Sequence, residues 1–217
     1  MKKLFLCCLL LILGVFLCGC SFETAGSGES HRYLIASMGF DRDGDSLTAT
    51  VEAVAVNSED NEGKKRILIN GSGEKAESAM NAAEKKATQP FNLSHCGVIV
   101  LGKNLSAEDF ADICDYCYNT DEITFSVYMV CAENAAELLK PEAISSVAAG
   151  YDIMSVMRKV GENSGVKFQN SLYRVTAMDY SGRESIKLPF FTLSDGYRIT
   201  DRFAVFENGS IAKFESF

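Results

Sequence analysis

Hydrophobic and polar positions fall into two regimes along this chain. Leu4 to Leu17 is an unbroken apolar run behind Lys2-Lys3, whereas the chain from Tyr33 onward changes its period from segment to segment. Tyr33–Phe40 and Leu47–Val56 are rich in β-formers. Their alternation is clearest in Thr48-Ala49-Thr50-Val51-Glu52-Ala53-Val54, the period of a half-buried strand. Asp41-Arg42-Asp43-Gly44-Asp45 between them carries turn chemistry, so the pair predicts a hairpin. A polar loop, Asn57–Lys65, precedes a short strand at Arg66–Asn70.

Gly71-Ser72-Gly73 then opens a predicted helix from about Glu74 to Thr88, with Pro90 helping to end it. Ala76, Ala79, Met80, Ala83 and Ala87 recur at helical spacing, a narrow stripe of small residues suited to close packing on a sheet. His95–Leu101 is almost continuously apolar, the mark of a strand buried on both faces. Ser106 caps a second helix with Glu108 and Asp109 in its first turn. Phe125–Ala132 reads as a further buried strand. A strand, helix and strand in succession predict two parallel neighbours. Ala135–Leu139 and Glu142 to about Lys159 are predicted helices, and Gly161–Gly165 a loop. Strands are expected again at Ser171–Met178, at Ile186–Leu193, and in a hairpin Phe203–Glu207/Ser210–Phe214 that turns at Asn208-Gly209. The fold class expected is therefore α/β (α+β), a mixed, partly parallel sheet flanked by helices with antiparallel strands at the C-terminal side.

The first apolar run has its own meaning. It is about 14 residues, shorter than the roughly 20 needed to span a bilayer as a helix. It leads into Leu17-Cys18-Gly19-Cys20, where two small residues admit a peptidase to the bond before Cys20. Residues 1–19 are thus expected to be a lipoprotein signal peptide and Cys20 the lipidated first residue of the mature chain. Residues 20–31 would be the lipidated cysteine and a flexible tether, because Ser21–Ser30 is polar, Gly/Ser-rich and aperiodic. Ten such residues span about 16–19 Å. Residues 32–217 form the folded domain, carried close to the headgroups on the extracytoplasmic face.

Charge narrows the partners. Without Lys2 and Lys3 the chain has 19 basic side chains against 29 acidic, a balance near −10. Nucleic acid, which needs clustered Lys and Arg, is not expected as a partner. Flat adsorption on an anionic leaflet is disfavoured for the same reason, so the lipid on Cys20 is expected to hold the chain to the membrane.

Candidate chemistry is sparse. Cys96, Cys114, Cys117 and Cys131 could pair as two disulfides in any of three connectivities, but each sits among apolar neighbours, and buried free thiols are the expectation. Cys114-Asp115-Tyr116-Cys117 is a CxxC in the second half of its helix, whereas redox thiols sit at helix N-termini. Asp41, Asp43 and Asp45 with Glu52 resemble a calcium loop only loosely, since the glycine falls at the fourth position rather than the sixth. Gly71-Ser72-Gly73-Glu74 could cradle an anion, but lacks the Walker and dinucleotide spacings, and helix capping is the expected use. His31 and His95 are the chain's two histidines, and neither lies in HExxH. No catalytic residue, metal or cofactor is expected, and the chain does not read as an enzyme.

The order of these segments resembles the N-terminal domain of the Ger(x)C family, the GerAC-like lipoprotein subunits of spore germinant receptors. The resemblance rests on the lipobox Leu17–Cys20 and on Leu34-Ile35-Ala36-Ser37-Met38-Gly39-Phe40-Asp41-Arg42-Asp43-Gly44. It continues through the Gly-Ser-Gly-led helix, Phe91-Asn92-Leu93-Ser94-His95-Cys96-Gly97-Val98-Ile99-Val100-Leu101-Gly102-Lys103-Asn104-Leu105, and the closing Ala204-Val205-Phe206-Glu207-Asn208-Gly209. It implies a non-enzymatic subunit of a nutrient receptor on the cell or spore inner membrane, working with integral membrane subunits. Cys20 is the one site residue that carries over. The second α/β domain usual in the family is missing from this sequence, which stops at Phe214-Glu215-Ser216-Phe217 as if a longer architecture were cut short. Two other readings stay open: a small-ligand-binding envelope lipoprotein, and a thiol-redox lipoprotein using Cys114 and Cys117.

Overall fold

A computed structural model describes residues 32–55, 65–140, 148–181 and 185–217. The signal, the tether, Cys20, His31, the Asn57–Lys65 loop up to residue 64 and the start of the expected Glu142 helix lie outside the described residues. The strands are β1 (Tyr33–Asp43), β2 (Ser46–Ala55), β3 (Lys65–Gly73), β4 (Phe91–Asn92), β5 (Val98–Gly102), β6 (Tyr128–Ala132), β7 (Ile186–Ser194), β8 (Tyr197–Glu207) and β9 (Ser210–Ser216). The helices are α1 (Ala76–Glu84), α2 (Ala107–Asn119), α3 (Ala135–Leu139), α4 (Ala149–Ser164) and α5 (Leu172–Ser181).

All the described strands join one sheet in the order β3-β2-β1-β5-β6-β7-β8-β9, with the two-residue β4 set beside the start of β1. β1, β5, β6 and β7 run parallel. Antiparallel hairpins extend the sheet on either side, β2 and β3 at one edge, β8 and β9 at the other. The mixed, partly parallel α+β class expected from the pattern is the class observed. So is the parallel pairing of β5 and β6 across α2.

Both faces of the sheet are covered. β5 alternates Val98 and Val100 into one core with Ile99 and Leu101 into the other, which is why its sequence shows no polar position. One core gathers Met38, Phe40, Phe110, Ile113, Met129 and Phe190 under α1, α2 and α5. The other gathers Val130, Leu138, Leu139, Ile153 and Phe191 under α3 and α4.

Several boundaries differ from the pattern. Ser171–Met178, read as a strand, falls almost wholly in the helix α5: Tyr173, Val175 and Ala177 alternate, but Leu172, Val175 and Thr176 are three and four apart, and packing buries that set as a helical face. Gly161–Gly165, read as a loop, is mostly the last turn of α4. That helix ends at Gly165, whose φ of 72° closes it with an amide donated to the Gly161 carbonyl at 3.0 Å. Gly71-Ser72-Gly73 does not open α1 but finishes β3, where Ser72 pairs with Thr48 and Gly73 with Leu47. A Cβ on Gly71 would lie 2.1 Å from the Ala83 amide nitrogen, so glycine is required for the Ala-lined helix to seat on the strand. α1 ends at Glu84, short of Thr88. β5 starts at Val98, after a 3-10 turn Leu93–His95, and β6 at Tyr128.

Candidate functional site

Cys20, the site residue expected from the sequence, lies outside the described residues. The described chemistry is therefore that of the domain, and it begins with carboxylates of the first hairpin. Glu52 on β2 is fully buried. Its carboxylate accepts hydrogen bonds from the Ala149 and Gly150 amides at 2.7 and 3.1 Å and from the Ser37 hydroxyl at 2.6 Å, and pairs with Arg66 at 2.7 Å. The amides are the first of α4, so a strand residue supplies the negative charge that this helix end attracts. Asp41 does the same for α3, accepting the Ala135 and Ala136 amides at 2.8 and 2.9 Å. Burial nevertheless pushes the Asp41 carboxyl above its ordinary value, outweighing those two amides.

Arg42, next along β1, reaches α2. Its guanidinium grips Asp109 through Nε at 3.1 Å and through Nη2, and donates to the Asp45 carbonyl at 2.9 Å. Asp109 also accepts from the Ser106 amide and hydroxyl and donates its own amide to Ser106 Oγ, so the cap expected at Ser106 is a full capping box. Burial pushes the Asp109 carboxyl up, but Arg42 and Ser106 together hold it below its ordinary value. At the far side of the sheet Arg198 is buried. It donates to the carbonyls of Leu138 in α3 at 2.8 Å and of Lys140 just after it at 2.7 Å, and pairs with Asp152 of α4 at 3.1 Å.

These arrangements decide the sequence candidates. Asp41 and Glu52 are committed to helix amides on separate helices, and Gly44 with φ 56° makes the turn between them, so the calcium-like spacing is a hairpin. Gly71-Ser72-Gly73 neither caps α1 nor cradles an anion: the Ala76 amide is taken by Asp112 of α2 at 2.7 Å, and Ser78 bonds back to Lys75. His95 is exposed in the 3-10 turn, not inside a strand.

Cys96, Cys114, Cys117 and Cys131 are all free and buried, as expected. Cys114 and Cys117 share the inner face of α2 with Phe110 and Ile113. Burial pushes the Cys96 thiol up to about 12 and raises those of Cys114, Cys117 and Cys131 as well. A redox or nucleophilic thiol needs the opposite shift, so this CxxC is core packing.

Among the described residues, surface cavities lie against α1 and α2. One of about 450 Å³ is lined by Asn81, Glu84, Lys85 and Thr88 to Pro90. One of about 410 Å³, between α1 and α2, is lined by Lys75, Glu77, Asp112, Asp115, Tyr116 and Asn119. Neither brings convergent donors to an apolar interior of the kind a small-molecule site uses. Among the described residues, no helix is long and apolar enough to cross a membrane.

A model of the spore germination protein N-terminal domain matches residues 30–193, from just before β1 to near the end of β7. The chain belongs to this family. The Ger(x)C resemblance carried by Leu34–Gly44 and Phe91–Leu105 is thereby borne out. Of solved structures, the crystal structure of the GerBC protein is similar at 15% identity and a TM-score of 0.40. The alignment covers 83% of this chain and 51% of that one, so this chain spans about half the length of GerBC. No curated protein matches.

Sequence reasoning missed the interior pins. Glu52 carried a signal, an ionisable residue between apolar neighbours in a strand that had to be buried. Arg198 carried none, because its partners, two backbone carbonyls and the Asp152 carboxylate, are distant in sequence.

Proposed function

We propose that this chain is a lipid-anchored, non-enzymatic subunit of a spore germinant receptor complex, held by Cys20 on the extracytoplasmic face of the membrane. There it acts in germination signalling beside integral membrane subunits. The family match over residues 30–193 carries the reading. Two further observations support it. The lipobox Leu17-Cys18-Gly19-Cys20 follows a hydrophobic run too short to span a bilayer. The ion pairs Glu52–Arg66, Arg42–Asp109 and Arg198–Asp152 tie elements of the domain to one another, which suits a body that signals by docking rather than by chemistry.

The reading is tested in a sporulating host. Deleting the gene is expected to leave growth and sporulation intact and to slow germination on nutrients, while non-nutrient triggers still work. Cys20→Ala is expected to leave an uncleaved, unlipidated precursor with the same germination defect. Integral membrane subunits should co-purify with the wild-type protein. Normal germination on every nutrient, with no membrane subunit recovered, would leave a small-ligand-binding lipoprotein as the better account.

A further inference from the structure

The chain joins its folded body at one end of the sheet, and that end carries exposed aromatic side chains. β1, β5, β6 and β7 are parallel, so their first residues lie together. Arg32, which begins the body just before β1, is pinned there. It bonds to the Phe91 carbonyl and pairs with Glu122 at 2.7 Å, and Glu122 in turn accepts the Leu93 amide at 2.9 Å. Glu122 belongs to the short loop between α2 and β6. Phe125 is three residues further along the same loop, so its Cα lies within about 11 Å of that of Glu122.

Phe125 is 50% exposed, Tyr118 38% and Tyr173 58%. The rings of Tyr118 and Phe125 stack with centroids 4.9 Å apart. The Tyr173 amide donates to the Phe125 carbonyl at 3.1 Å, which places the start of α5 against the same loop. Three aromatic residues, from α2, from the loop after it and from α5, thus gather beside the point where the chain joins the body. Two of them are tyrosines, with an apolar ring and a polar tip, the type that settles where headgroups meet acyl chains.

We propose that this aromatic end is the face the domain lays against the lipid headgroup interface, with Phe125 as its deepest residue. The proposal rests on the lipidation of Cys20. The eleven residues between Cys20 and Arg32 reach at most about 40 Å fully extended. The root-mean-square span of this tether is only about 16–19 Å, which favours presentation of the end bearing Arg32 to the bilayer. The net acidity of the chain argues against electrostatic adsorption, and insertion of aromatic rings needs none.

The chain contains no tryptophan, so single substitutions report position without background. Full-length lipidated F125W and Y173W, and Y197W as a control, would be reconstituted in phosphatidylcholine vesicles with brominated acyl chains. Tyr197 is 56% exposed and begins β8 at the opposite end of the sheet. Quenching several-fold greater for F125W and Y173W than for Y197W is expected, with a blue shift on vesicle binding. Equal quenching at both ends, or none at Phe125, overturns the proposal. Shielding of F125W that needs added membrane subunits also overturns it and assigns the face to a protein partner. Flotation and the mass of the Cys20-bearing peptide report the anchor separately. Protein that neither floats nor carries lipid sinks the anchoring reading and this proposal with it. Protein that floats while F125W stays unquenched sinks the proposal alone.

Discussion

Glu52 shows how one side chain can organise distant segments. It joins β2 to β1 through Ser37, to β3 through Arg66, and to α4 through two amides, all without exposure to water. Removing one partner of a buried charge pair leaves the other uncompensated. Glu52→Ala is therefore expected to destabilise the domain by about 3–5 kcal/mol, read as a lower urea midpoint. Asp109 supplies a pH dependence. Its folded carboxyl is held below the ordinary 3.8, so its pairing stabilises the fold above that value and is lost as pH falls through the folded value. Asp109→Asn should flatten the acid-side slope of stability against pH and leave a less stable protein at neutral pH. An unchanged slope would show that other carboxylates govern acid unfolding.

At the scale of elements, α1 sits on β3 only because small residues face each other. A methyl on Gly71 would strike the backbone of Ala79 and Ala83, which cannot move aside as a side chain could. Gly71→Ala is expected to cost at least about 1–3 kcal/mol, the range of an overpacked core. Gly44→Ala meets no atom within 4 Å and carries only the cost of its positive φ, and so is the milder change. The N-terminus of α1 depends on a neighbour, since Asp112 of α2 accepts the Ala76 amide. Asp112→Ala should cost about 1 kcal/mol, as loss of a helix cap does, and circular dichroism on urea unfolding would measure it.

For the whole molecule, the four thiols supply a test of cooperativity. Cys96, Cys114, Cys117 and Cys131 all lie in the core beneath α1, α2 and α5. Alkylation of the native protein is expected to be slow at all four and to accelerate together with denaturant, tracking global unfolding. Rapid labelling of Cys114 and Cys117 under native conditions would instead show that α2 opens separately, and would restore a reactive role for the pair.

The local signals were strong wherever one period served one purpose. The β1–β2 hairpin, the double-sided burial of β5, the Ser106 cap and the small-residue face of α1 were all legible, because each depends on neighbours in sequence or on simple alternation. The family was legible as well, through the Leu34–Gly44 and Phe91–Leu105 blocks. Tertiary structure decided the rest. Ser171–Met178 has apolar residues at both spacings, and only packing against α2, β6 and β7 selected a helix. The glycines of Gly71-Ser72-Gly73 serve a helix by being in the strand beneath it. The charges of Asp41, Glu52 and Arg198 found partners 94, 97 and 60 residues away, respectively. No local pattern encodes such partners, because a buried charge is satisfied by whichever amides or carbonyls the fold brings to it.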